Sequence, residues 1–180
     1  MILSMAPMDL TKIVQDAIES FQGAALQNRQ SLERKWPDQK VMVKGDADRL
    51  TQVMANLLSN ATKFTPPGGR ILVSMEDVIE DGRPSVRVAV QDSGPGIPRE
   101  MQDKLFDKFQ QVDRLIKEKT QGSGLGLALV REIIAHHGGR VGVESEAGAG
   151  SAFFFILPLP APETRQGVLN RRDAENAKKG

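Results

Sequence analysis

Residues 52–64, Gln52-Val-Met-Ala-Asn56-Leu-Leu-Ser-Asn60-Ala-Thr-Lys63-Phe64, carry two different faces on one helix. Leu50, Val53, Met54, Leu57, Leu58 and Ala61 recur at helical spacing and form an apolar stripe, which predicts a helix from about Ala47 to Phe64. Gln52, Asn56, Asn60 and Lys63 are spaced so that they stack along another face of it. A solvated face accounts for most such polar lines. Two asparagines one turn apart beside an apolar stripe still need a reason, because asparagine is a mediocre helix former. An amide oxygen is a hard, neutral ligand for magnesium, an ion that keeps waters and draws its other ligands from substrate phosphates. The lysine one turn further on then reaches phosphate as a point charge.

Working outward, Gly45-Asp46 reads as the turn into this helix, and Pro66-Pro67-Gly68-Gly69 stops it. Upstream, Asp9 caps a helix in which Leu10, Ile13, Val14, Ala17, Ile18 and Phe21 form the buried stripe. Gln27 to Gln39 is polar and broken by proline, and Val41 to Lys44 is expected as a short strand. Downstream, strands are predicted over Arg70–Glu76 and Ser85–Gln91, separated by the turn residues Asp81-Gly82-Arg83-Pro84. A short helix begins near Pro98, a long one spans Leu125–His137 up to Gly138-Gly139, and strands Arg140–Glu146 and Ser151–Leu157 close the domain. Helices segregated against a mixed, mostly antiparallel sheet make a two-layer α+β sandwich; the elements do not alternate as in a Rossmann sheet. One folded domain is expected over residues 8–160, preceded by a linker remnant at 1–7 and followed by a polar, disordered tail at 161–180.

Composition narrows the function classes. Of 180 residues, 39% are hydrophobic and 26% charged, as in ordinary globular proteins. A formal charge of +1, with no concentrated basic stripe, argues against nucleic-acid binding. The absence of cysteine excludes disulfides, zinc–thiolate sites and thiol catalysis. No apolar run approaches the roughly 18 residues of a membrane span, and the first residues lack the pattern of a secretory signal. A soluble, cytoplasmic domain without membrane contact is expected, although a parent protein can be membrane-anchored.

Two further motifs are weak alone. Asp92-Ser-Gly-Pro-Gly96 follows a strand; glycines there let backbone approach a ligand, and Asp92 can accept a hydrogen bond from an exocyclic amine such as adenine N6. A tight turn with a capping aspartate is the plainer explanation. Gly122-Ser123-Gly124-Leu125-Gly126 opens a helix and offers free N–H groups to phosphate, as many glycine-rich loops do. The polar stretch before it, Gln110 to Gln121, has the length of a lid.

In order and spacing the pieces are specific together. Asn-x-x-x-Asn-Ala-x-Lys-Phe at 56–64, Asp-x-Gly-x-Gly at 92–96, Phe-x-x-Phe at 106–109 and Gly-Ser-Gly-Leu-Gly at 122–126 resemble the N, G1, F and G2 boxes of sensor histidine kinases. Gly45-Asp46-Ala-Asp-Arg-Leu, Gly148-Ala-Gly-Ser-Ala-Phe and Leu157-Pro-Leu extend the likeness over residues 8–160. The resemblance implies the GHKL (Bergerat) fold, with three helices over one face of the sheet and ATP between helices and lid. It implies Asn60 as principal magnesium ligand, Asn56 and Lys63 near the phosphates, and Asp92 at the adenine amine. Gly94, Gly96 and Ile97 would shape the adenine pocket, with Ser151 close to the base. The glycines of 122–126 would hold the phosphates, Phe106 and Phe109 would anchor the lid, and Phe64 would pack either near the nucleotide or simply in the core. Arg114, Lys117 and Lys119 are alternatives for a lid cation.

The same resemblance places the phosphoacceptor histidine, and dimerisation, on a separate helical hairpin. His136 and His137 end a helix before Gly138-Gly139, where a structural or capping role is expected, and no His-Glu followed by Arg-Thr-Pro occurs. The acceptor is therefore expected outside this chain, in cis in a parent protein or in trans, with a response regulator served indirectly. Gln52 stands where the hydrolytic GHKL ATPases of the chaperone, gyrase and mismatch-repair types resemble one another in carrying glutamate, and an amide cannot act as that general base. Phosphoryl transfer with poor ATP hydrolysis is expected. The alternatives are a GHKL ATPase or protein serine kinase, and a module that senses ATP or ADP without transfer.

Overall fold

The computed structural model describes residues 1–107 and 126–162. Strands β1 (Ala6–Asp9) and β3 (Met42–Gly45) pair antiparallel, and between them in sequence lie helix α1 (Leu10–Gln27) and strand β2 (Ser31–Lys35). Helix α2 (Ala47–Phe64) leads into the hairpin β4 (Arg70–Glu80) and β5 (Arg83–Asp92). A single turn, α3 (Arg99–Gln102), then α4 (Gly126–His136), β6 (Arg140–Ser145) and β7 (Ser151–Pro158) follow. The main sheet runs β2-β4-β5-β7-β6, with β2 parallel to β4 and the other neighbours antiparallel. This is the mixed, mostly antiparallel α+β architecture expected from the sequence.

The period of two decides which sheet face the helices cover. Val86, Val88 and Val90 of β5 and Phe153, Phe155 and Leu157 of β7 are buried in one core with the stripes of α1, α2 and α4. The intervening Ala89, Phe154 and Ile156 form a separate small cluster on the opposite face. Phe154 stays buried there because the Arg87 guanidinium lies 4.3 Å from its ring centroid and Gly142 leaves room beside it.

Helix α2 is fastened at both ends. At its start, the Asp46 carboxylate accepts the Arg49 N–H at 3.1 Å as N-cap and the Ser4 N–H at 2.8 Å. These two donors, Ser4 foremost, hold the carboxyl below its ordinary range. The Asp46 N–H in turn donates to His137 Nε2 at 3.0 Å, while His137 Nδ1 lies 2.7 Å from Ile133 O. Because Nε2 accepts, Nδ1 carries the proton, and the buried ring is neutral. One residue thus joins the N-terminal segment, α2 and the end of α4. At the other end, Gln30 Nε2 donates to Thr62 O and Thr65 O at 2.7 and 2.6 Å, satisfying carbonyls that a helix end leaves open.

Several boundaries differ from expectation. The polar, proline-broken stretch from Gln27 to Gln39, in which the sequence suggests no element, holds β2 on the edge of the sheet. Leu32 is its buried residue while Glu33, Arg34 and Lys35 are exposed, so no alternation betrays the strand; charge on an edge strand also discourages pairing with other chains. The expected four-residue turn shrinks to Asp81-Gly82, with φ of 50° and 74°, a type I′ connection that lets both strands of the hairpin run longer. Ala6 and Pro7, expected in a linker, pair with Gly45 and Lys44. The tail expected over 161–180 lies outside the described residues from 163 onward.

Phe155 is fully buried between Val88 and Val141 of the neighbouring strands. Phe155→Ala should lower stability by about 3–5 kcal/mol in urea unfolding, the usual cost of emptying such a site. A loss below about 1 kcal/mol would contradict the packing of the helices on this sheet face.

Candidate functional site

Once α2 turns Leu50, Met54, Leu57, Leu58 and Ala61 into the core, Gln52, Asn56, Asn60 and Lys63 are left half-buried along its flank. Arg49 Nη1 donates to Gln52 Oε1 at 3.2 Å. Asn56 Nδ2 is buried without a hydrogen-bond partner among the described residues. A Cβ added to Gly126, the first residue of α4, would come within 3.5 Å of Asn56 Oδ1, so that helix starts directly against this amide. Trp36 Nε1 is likewise unpartnered among the described residues, so it is the position of the Asn56 donor, on the amide flank facing the start of α4, that suits an anionic ligand. Lys63 Nζ lies 5.4 Å from the Phe64 ring centroid at the end of the same helix.

Strand β5 ends on Asp92, only 6% exposed. Its Oδ1 accepts the Gly94 N–H at 2.9 Å, and Ser151 stands directly opposite Asp92 in the β5–β7 ladder. Burial nevertheless raises its pKa above the ordinary value, outweighing the Gly94 hydrogen bond. The loop after Asp92 is pressed against α2: a Cβ on Gly94 would lie 2.9 Å from Phe64 O. On its other side the loop meets the β6–β7 turn. Gly96 has φ of 74°, and a side chain there would collide with Glu146 O; Gly150, at 87°, would collide with Asp92 O. Ile97, buried, donates its N–H to Ser145 Oγ at 2.8 Å, and its carbonyl accepts from Gln102 Nε2 at 2.9 Å. Gln102 Nε2 also reaches Ser145 O at 2.9 Å.

The fold therefore gathers the α2 amides, the Asp92–Ile97 loop, Ser151 and Gly126 around one end of the helix layer. Phe106 sits in the core, edge-on to Phe153 with ring centroids 6.2 Å apart, and beyond it Asp107 pairs with Arg131 of α4 at 3.2 Å. Phe109, Gly122, Ser123, Gly124, Leu125 and the candidate cations Arg114, Lys117 and Lys119 lie outside the described residues. Ser145 and Gln102 were not singled out from the sequence. They belong to no motif, and each joins the site only through partners in another element.

Among the described residues no three His, Asp or Glu side chains gather as a metal cage. The donors available on α2 are neutral amides. That set suits an ion which takes most of its ligands from phosphate and water.

A mixed sheet layered with three helices, with an amide-bearing helix beside a glycine loop and a buried aspartate, defines an ATP-binding domain of the GHKL type. The chain belongs to the histidine kinase-, DNA gyrase B- and HSP90-like ATPase family, whose sequence pattern matches residues 45–161. Within that family it is similar to sensor kinases. It is 40% identical over 152 residues to the adaptive-response sensory kinase SasA of Thermosynechococcus vestitus, covering 84% of this chain and 39% of the relative. It is 38% identical over 125 residues to the sensor histidine kinase WalK of Bacillus subtilis, covering 69% of this chain and 20% of the relative. The chain thus spans less than half the length of these curated relatives. Among solved structures, the nucleotide-free catalytic domain of histidine kinase ThkA superposes with a TM-score of 0.75 at 30% identity, covering 87% of this chain and 97% of that one. Full-length ShkA in complex with AMPPNP gives 0.73 at 31% identity, covering 90% of this chain and 32% of that one. No helix among the described residues is long and apolar enough to cross a membrane.

Asp92 also yields a pH prediction. A carboxyl whose folded pKa is raised contributes most stability below its unfolded pKa and loses that contribution as pH rises through the folded value. The stability of the wild type relative to Asp92→Asn should therefore fall as pH is raised from about 3 to 7 in paired thermal melts. A difference that grows with pH would show that Asp92 is stabilised as an anion in the nucleotide-free fold.

Proposed function

We propose that this chain is the catalytic part of a two-component sensor kinase, passing the γ-phosphoryl group of ATP to a histidine on a separate helical hairpin. The observation that carries this reading is the unpartnered Asn56 amide, half-buried in line with Asn60 and Lys63 and facing the start of α4. The flank ends beside Asp92, whose carboxylate suits the exocyclic amine of adenine. Gly94, Gly96 and Ile97 shape the base pocket, Ser151 stands near the base, and Phe64 borders the loop. Gly122, Ser123, Gly124, Leu125 and Gly126 are assigned to the phosphates, with Phe106 and Phe109 anchoring the lid.

Magnesium is assigned to Asn60, with Asn56 beside it, and supplies charge neutralisation for the phosphates when bound. The residues of this chain orient rather than react. Lys63 and the backbone N–H groups at the start of α4 hold the γ-phosphate while an external imidazole attacks in line; the new N–P bond forms as the bond to the ADP oxygen breaks. His137, buried with both nitrogens engaged, does not suit the acceptor role. His136 keeps the capping role expected at the end of α4, its Nδ1 2.8 Å from Glu132 O. Gln52, held by Arg49, offers no carboxylate to activate water. Dimerisation and the response regulator belong to the hairpin side of the system.

The test is to mix the chain with a sensor-kinase hairpin domain, labelled ATP and magnesium, and to look for acid-labile phosphohistidine on the hairpin. Label released only as inorganic phosphate would favour an ATPase instead. Asn60→Ala should weaken magnesium-dependent nucleotide binding by about tenfold or more, on the scale of a lost charge-assisted contact. If Asn56→Ala alone removed the magnesium dependence, the metal would be reassigned to that residue. Gln52→Glu should raise ATP hydrolysis; fast hydrolysis by the wild type, with no gain in the variant, would defeat the transferase argument.

A further inference from the structure

We propose that Ser145 sets the base preference of this pocket by dictating which way the Ser151 hydroxyl can bond. The inference rests on the reading that Asp92 and Ser151 meet the nucleotide base. Ser145 ends β6 directly across the ladder from Ser151, the first residue of β7, and their Oγ atoms are 3.1 Å apart. Ser145 Oγ also accepts the Ile97 N–H and lies 2.8 Å from Gly150 O.

A serine hydroxyl has one proton and two lone pairs. An amide N–H only donates and a carbonyl oxygen only accepts, so the single Ser145 proton goes to Gly150 O. Its first lone pair takes the Ile97 N–H, and the second is left for the Ser151 hydroxyl. In the serine pair Ser151 is therefore the donor, and its own oxygen keeps only acceptor capacity. Ser151 is buried and stands opposite Asp92 in the β5–β7 register. Two acceptors, a carboxylate and a hydroxyl with its proton already committed, then stand side by side. That pair suits an exocyclic amine, which has two protons to give, and opposes a carbonyl oxygen such as guanine O6. A Ser151 released from Ser145 could rotate and donate to that carbonyl. Ser145 does not touch the base; it is a positioning residue whose effect passes through Ser151.

The experiment is calorimetric titration of the purified chain with non-hydrolysable ATP and GTP analogues plus magnesium, for wild type, Ser145→Ala, Ser151→Ala and the double variant. The wild type should prefer the adenine nucleotide. Ser145→Ala should narrow that preference by about tenfold, the scale of one neutral hydrogen bond. In the Ser151→Ala background, Ser145→Ala should change the ratio no further, because the two act as one unit. Parallel loss of both affinities at an unchanged ratio, in a variant whose thermal melt shows it folded, would overturn the proposal and leave Ser145 a structural pin. If the alanine variant does not fold, Ser145→Cys, of similar size but a weak hydrogen-bonding partner, should narrow the ratio in the same direction. An unchanged ratio there would equally overturn it. A wild type that binds both bases alike, or an Asp92→Ala variant with an undiminished preference, would overturn the base-contact reading itself, and the inference with it.

Discussion

Helix α2 must bury one flank completely and still present another, and the rest of the domain depends on how that helix is held. Its buried stripe anchors it between α1, α4 and the sheet, which leaves the amide flank no freedom to turn inward. The ends are pinned by hydrogen bonds rather than by apolar contact. Asp46 caps the first turn, receives Ser4 and gives its N–H to His137, while Gln30 closes the last turn. A helix fixed in rotation and along its axis can keep a polar atom such as Asn56 Nδ2 without a partner among the described residues. That arrangement opposes stability locally, as a site shaped for something outside the fold would.

The same opposition appears at Asp92. Burial disfavours its charge, yet the Gly94 N–H donates to its Oδ1 and so favours the anion. Around it the chain passes so closely that side chains on Gly94, Gly96 or Gly150 would strike neighbouring atoms. The loop after β5 is thus built from the backbones of three elements, with Ser145 and Gln102 as cross-braces. Preorganisation of this kind is what the base-contact role proposed for Asp92 would require, since a rigid site loses little on binding.

Much of this was legible in the chain. The stripe of α2 follows from helical periodicity, its limits from Asp46 and the Pro-Pro-Gly-Gly stop, and β5 from the alternation of Val86, Val88 and Val90. The ordered motifs pointed to the GHKL class through their resemblance to the boxes of sensor histidine kinases, since none of them was specific by its own chemistry. Strand β2 was not legible. An edge strand with one buried residue carries no alternation, and it exists because β4 offers it a row of backbone partners. The two-residue turn at Asp81-Gly82 was blurred because Arg83 and Pro84 look like turn residues but lie in a strand secured from the far side by β7.

The sequence by itself determined the layers, the buried stripes and the identity of the motif residues, since these depend on local spacing and on side-chain chemistry. Only the tertiary structure decided what Ser145, Gln102 and His137 do. A hydroxyl, an amide or an imidazole has no direction until its partners are fixed, and theirs come from segments tens of residues away: Ile97 for Ser145, Ser145 for Gln102 and Asp46 for His137. Hydrogen bonding is directional and short-ranged, so which group donates and which accepts is settled by the folded geometry and not by proximity in the chain.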